Sequence, residues 1–161
     1  MKDERGFTLV ELLVAMALSA LLMTVLANAV FRMGQGFDAS TSQMAADRTL
    51  DNASVYLGGD VSMGKYTDLT NGAAAAASMQ LFWNDYYTGR RTFHSIRYYL
   101  SGGNLLRDYD GSIATVADSV TAASFSLSGS VVTVALTATA TTGTSSFAES
   151  KTYRLRMRPE L

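Results

Sequence analysis

A single carboxylate, Glu11, stands inside an apolar run, FTLVELLVAMALSALLMTVLANAVF, that occupies residues 7–31. It is the only ionisable side chain between Phe7 and Phe31. A charge at the centre of a bilayer opposes insertion by about 3 kcal/mol, less near the headgroups, unless it is paired or protonated. The rest of the chain offers little chemistry. His94 is the only histidine, which excludes a histidine-based metal site, and its expected place is a strand face. There is no cysteine, so disulfides and thiolate metal or redox sites are excluded. Asp108-Tyr109-Asp110-Gly111-Ser112 is rich in oxygen ligands. It lacks the spacing and the terminal glutamate of a calcium loop and reads as a turn. Arg90-Arg91 and Arg154, Arg156 and Arg158 are small basic clusters, the last three on one face of a strand. DNA uptake would want such a patch. A formal net charge of -1 leaves no electrostatic footprint for nucleic acid, and these clusters read as solvated faces. No catalytic constellation appears, so the expected protein is not an enzyme and holds no cofactor.

The element that must carry Glu11 is a helix. Twenty-five residues at ~1.5 Å each reach about 38 Å, against a hydrocarbon thickness of ~30 Å. The run is rich in Leu, Ala and Met and has no internal Gly or Pro. Lys2 and Arg5 precede it and Arg32 follows, a small bias that keeps the N-terminus cytoplasmic. Three readings compete: a plain single-pass anchor, a secretory signal peptide cut after Ala27-Asn28-Ala29, and a prepilin. The first two leave Glu11 unexplained. Thr8, Ser19 and Thr24 are polar but can return a hydrogen bond to the helix backbone.

Beyond Phe31 the helix is expected to continue to about residue 61. Phe37, Met44, Leu50, Ala53, Leu57 and Val61 form one apolar stripe, with a bend at Gly34 and Gly36. Gly58-Gly59 and Gly64 mark its end. A loop or short helix covers Thr67–Gly72 and the five alanines after it. Strands are expected at Met79–Trp83, Thr92–Leu100, Leu105–Tyr109, Val120–Leu127, Val131–Ala138 and Thr152–Met157. Ser101-Gly102-Gly103-Asn104 is a hairpin turn signal. One long helix followed by an antiparallel sheet is an α+β arrangement.

The stretch GFTLVELLVAMALSALL, behind the short charged leader MKDERG, resembles the class III signal sequence of type IV pilins and type II secretion pseudopilins. The resemblance rests on Gly6, Phe7 and Glu11 and on the apolar helix that follows. It implies a pilin fold: leader 1–6, transmembrane and assembly helix 7–31, and a periplasmic or extracellular domain 32–161 with its β-region about 79–158. It further implies that prepilin peptidase cuts between Gly6 and Phe7 and methylates the new Phe7 amine. Glycine suits the cut because an extended backbone without Cβ can approach catalytic groups closely. In the family, the glutamate pairs with the N-terminal amine of a neighbouring subunit. The implied partners are other major and minor pilins through the helix, the peptidase, the assembly platform and the bacterial inner membrane. A place at a filament tip is compatible with the resemblance. The segment IRYYLSGGNLLRDYDG, together with Arg48-Thr49-Leu50-Asp51, resembles the J-type minor pseudopilin and the W-type minor pilin. That likeness implies a role in starting or capping a filament. The rival function is a secreted or anchored β-rich binding domain behind an ordinary signal peptide.

Overall fold

The computed structural model describes residues 8–87, 90–143 and 145–158. One helix, α1 (Leu9–Met63), is 55 residues long, and the helical hydrogen bonding runs through Gly34 and Gly36. Eight strands follow: β1 (Tyr66–Thr67), β2 (Ser78–Tyr87), β3 (Arg90–Ser101), β4 (Asn104–Tyr109), β5 (Ser112–Ala117), β6 (Val120–Ser128), β7 (Val131–Thr142) and β8 (Ser145–Arg156). They form two antiparallel sheets, one of five strands in the order β1-β2-β3-β4-β5 and one of three in the order β6-β7-β8. The architecture is the expected α+β arrangement of one long helix on antiparallel strands.

The local chemistry explains the meander. Gly102 and Gly103, at φ 58° and 75°, supply the left-handed turn between β3 and β4. In β3 the alternation sends Ile96 and Tyr98 inward and leaves Phe93 and Arg97 exposed. Of the loop and the short helix expected over Thr67–Gly72 and the alanines, the loop is found after β1: the segment forms no helix, and its backbone bridges β6 at Asn71–Leu127 and Ala76–Phe125. β5, SIATVA, is not among the expected strands: four of its six residues are small or hydroxylated, and only its last two are buried.

The buried face of α1 consists of Ser42, Ala46, Leu50, Ala53, Leu57 and the adjacent pair Asp60 and Val61, each step from Ser42 to that pair being three or four residues. Phe37 and Met44 do not belong to it, being 73% and 52% exposed. Small residues replace them because the β7–β8 turn closes on the helix there. The Ser42 hydroxyl lies 2.9 Å from Asp38 O and 3.1 Å from Ser145 O. Further along, Leu50, Leu57 and Val61 share one core with Met79, Leu81, Ile96 and Leu105 of the first sheet. Phe125, Val132, Val134 and Leu136 of the second sheet complete it. Fully burying a leucine such as Leu57 contributes about 2 kcal/mol.

Two charged clusters fix the helix against the sheets. Asp60 is buried and accepts from the Tyr98 hydroxyl. It also receives both arms of Arg107, Nε at 2.7 Å and Nη2 at 3.0 Å. Burial, and then Asp60, push the Tyr98 phenol up. The hydrogen bonds to Asp60 hold the Arg107 guanidinium more firmly protonated. Lys151 of β8 lies 2.9 Å from both Asp47 and Asp51, which raise its ammonium above the usual lysine range. Tyr153 donates to Leu50 O at 2.9 Å.

All buried helix residues lie at or beyond Ser42. A fragment beginning at Phe37 is therefore expected to be soluble and to unfold cooperatively in urea. Within it, Asp60→Ala leaves Arg107 without its counter-charge and is expected to cost about 3 kcal/mol. A fragment that aggregates, or an Asp60→Ala midpoint equal to that of the parent, would contradict this account of the core.

Candidate assembly site on the N-terminal helix

Residues Leu9 to Phe31 are all exposed in the isolated chain. This part of α1 is long and apolar enough to cross a membrane. Twenty-three residues of helix reach about 35 Å. Among the described residues no side chain of the folded domain covers it, and this apolar surface is open to lipid or to other helices. The mild polar residues disturb it little. Ser19 donates to Ala15 O, Thr24 to Ala20 O and Asn28 to Thr24 O, at 2.8, 2.8 and 3.0 Å.

At the start of α1, Glu11 is tied to Thr8. Thr8 is the N-cap, with extended backbone, and its hydroxyl accepts from Glu11 N at 3.3 Å. The Glu11 carboxylate reaches back and accepts from Thr8 N and from the Thr8 hydroxyl, both at 2.9 Å. This capping box satisfies helix donors that would otherwise lack partners. It also gives the carboxylate two donors within its own chain. Like Ser19 and Thr24, Thr8 hydrogen-bonds the helix backbone, but it does so as the N-cap, accepting from Glu11 N. The spacing Thr8-x-x-Glu11 is itself the sequence signature of such a cap. Gly6 and Phe7, the expected cleavage and methylation residues, lie outside the described residues.

A second cluster sits on the five-stranded sheet. The rings of His94, Trp83 and Tyr109 form a mutual triangle, with centroids 5.5 Å (Trp83–His94), 5.8 Å (His94–Tyr109) and 6.0 Å (Trp83–Tyr109) apart. Its Nδ1 is 2.6 Å from Asp110 Oδ2 and 3.2 Å from the Tyr109 hydroxyl. Asp110 also accepts from Ser95 N at 2.7 Å, and Asp108 accepts from Gly111 N at 2.9 Å. The two carboxylates thus hold the β4–β5 turn, in which Asp110 and Gly111 have φ of 49° and 90°. Among the described residues, no group of three or more His, Asp or Glu side chains is placed to hold a metal ion. Arg90 and Arg91 are exposed at the start of β3, as are Arg154, Arg156 and Arg158 on and just after β8. These clusters are not brought together with Glu11.

Residues 1–27 match the family described as the prokaryotic N-terminal methylation motif. The match ends inside the exposed apolar part of α1. No curated protein and no solved structure matches the chain. The motif, with the long apolar helix behind it, supports a type IV pilin-like precursor that is processed by prepilin peptidase and assembles with other pilins.

The Asp110 carboxyl is held below its usual range: partial burial pushes it up, but the bonds from His94 and Ser95 N outweigh that. A carboxyl lowered on folding contributes stability above its unfolded value of about 3.9, and that contribution disappears as pH falls through the native value. Asp110→Asn is therefore expected to lower the urea midpoint of the Phe37–Leu161 fragment at pH 7. The gap to the parent should close in acid, below pH about 4. A gap that stays constant from neutral to acid pH would show that the charge of Asp110 contributes nothing.

Proposed function

We propose that this chain is a minor pilin or pseudopilin, a structural subunit of a type IV pilus or of a type II secretion-like filament. The observation that carries the proposal is the junction of two surfaces on one helix. Residues 1–27 match the methylation motif, and α1 from Leu9 to Phe31 is exposed and apolar, while from Ser42 onward one face of the same helix is buried in its own domain. Such a helix has one half committed to its domain and the other half open to lipid and to other helices. The precursor stands in the bacterial inner membrane with its N-terminus cytoplasmic and its β domain outside. The peptidase cuts between Gly6 and Phe7 and methylates the Phe7 amine. That amine is then the natural partner for the Glu11 carboxylate of a neighbouring subunit.

The β3–β4 hairpin supports placing the chain in the W-type or J-type subgroup. Its strands pair Tyr99 with Leu106 and Leu100 with Leu105 around the Gly102-Gly103 turn. In that subgroup the subunit starts or caps a filament.

Two measurements test this reading. Intact mass of protein from native membranes is expected to show loss of Met1–Gly6 and gain of one methyl group. A mature chain starting at Val30, after Ala29, would instead establish a secreted domain behind an ordinary signal peptide.

The second measurement concerns Glu11. Glu11→Gln keeps shape and loses charge, so it is expected to leave cleavage and membrane level intact while abolishing co-purification with partner pilins. The penalty is the partner's amine left unpaired in low dielectric, about 3–5 kcal/mol. Glu11→Asp, with a shorter reach, should be intermediate. Wild-type incorporation of the Gln variant would remove charge pairing as the reason for this carboxylate.

A further inference from the structure

The two sheets have four edges, and three of them are short or covered, the first because β1 pairs with β2 only at Leu81 and Phe82 and leaves just residues 83–87 of that strand open beyond it. β1 is two residues long. β5 is short, and the β4–β5 register shifts between Leu105 and Leu106. The outer edge of β6 is taken by the preceding loop: Phe125 and Ala76 exchange both backbone bonds, at 2.9 and 2.7 Å, and Gly72 N donates to Leu127 O at 2.9 Å. β8 differs. It has 12 residues and no proline, and it pairs with β7 in unbroken register from Val131–Arg156 to Thr142–Ser145. Long, regular edges of this kind are normally avoided because they template a further strand.

The direction of its free groups follows from two bonds. Met157 N donates to Ser130 O at 2.9 Å, which continues the register one step past Arg156. Thr139 N donates to Ser119 O at 2.8 Å, away from its opposite residue Ala148. In an antiparallel ladder, opposite residues exchange both bonds or neither. The alternate residues Ser146, Ala148, Ser150, Thr152, Arg154 and Arg156 therefore aim N–H and C=O outward. All six are exposed, and among the described residues no backbone bond reaches those groups.

The side chains of the same residues define what would fit. Arg154 and Arg156 sit two apart on the outer face, and neither has a carboxylate partner among the described ion pairs. None of the six is acidic, since Glu149 and the lysine that binds α1 lie on the alternate, helix-facing side. A second copy could offer only serine, alanine, threonine or arginine against these guanidinium groups. Cross-strand pairs of opposite charge favour pairing, whereas like charges oppose it.

We propose that the free edge of β8 accepts an added strand: an extended segment of a different protein, with carboxylates at two alternate positions, pairs beside β8 and sets them against Arg154 and Arg156. Main-chain bonds supply affinity and the two charges supply register. This proposal does not depend on the filament reading.

The test uses amide hydrogen exchange on the full chain in detergent micelles. The probe is a synthetic peptide of alternating Thr and Val carrying Glu at two alternate positions; its twin carries Lys instead. Exchange at Ser150, Thr152 and Arg154 is expected to slow about tenfold with the Glu peptide at ~1 mM and to stay unchanged with the Lys twin. Thr152→Pro removes one outward N–H and leaves the β7 ladder whole, so it should keep the unfolding midpoint and lose the protection. The double variant Arg154→Glu with Arg156→Glu, away from the core, should reverse the preference to the Lys twin. Equal protection by both peptides, protection that survives Thr152→Pro, no protection by either, or slow exchange from dimers of the chain alone would each overturn the proposal.

Discussion

The domain depends on one constraint: the outer half of α1 is the shared wall of both sheets. Leu50, Leu57 and Val61 close a core to which each sheet contributes only one face. The two sheets are separate hydrogen-bonded units, so no continuous ladder fixes one to the other. The helix, with the strand connections, does that. Asp60 makes the wall specific. An apolar stripe alone could slide or rotate by a turn at modest cost. A buried carboxylate that must meet Arg107 and Tyr98 accepts only one register, since a shift would strand a charge in the core. Lys151, held by Asp47 and Asp51, sets the same register against the three-stranded sheet from the solvent side.

The constraint also explains how the chain can have two surfaces without two domains. Because α1 is continuous, the position of the domain along it fixes how far the apolar half projects. The β7–β8 turn meets the helix at Asp38 and Ser42, about two to three turns past Arg32. The domain therefore begins close to where the apolar run ends, and little bare helix separates the two.

Much of this was legible in the sequence, and the misplaced strand ends and stripe residues share one cause. The helix, the β3–β4 hairpin with its Gly-Gly turn, and the cores of β6 and β7 carried strong contrast between apolar and polar positions. The contrast fades where helix and sheet approach closely. There the inward residues are Ser42 and Ala46 on one side and Ala138 on the other, which look no different from the threonines and alanines facing out. The early part of β8 and the end of β7 were missed for this reason, and Phe37 and Met44 were placed on a stripe that belongs to smaller residues. Asp60 was invisible for a different reason. Its partners are 38 and 47 residues away, and only the fold brings them together. At the N-terminus the information was local. Glu11 stood out as the one charge in its run, and the Thr8 spacing was readable beside it.

The cap at Thr8 changes what Glu11 must do on the reading proposed above. Before assembly its carboxylate is not bare, because Thr8 supplies two donors. Pairing with a neighbour's amine must therefore displace, or share, bonds already made. An N-cap interaction is worth about 1 kcal/mol. An ion pair in water is worth about the same or less, so in solvent the exchange would gain little. In hydrocarbon the balance shifts. The neutral Thr8 donors do not cancel the carboxylate's charge, whereas an amine does, and leaving either charge unpaired costs about 3–5 kcal/mol. The same carboxylate is then stable enough on its own helix to wait in a monomer, and drives association only where water is absent. On the proposed reading, the membrane, more than the partner alone, selects where the subunits join.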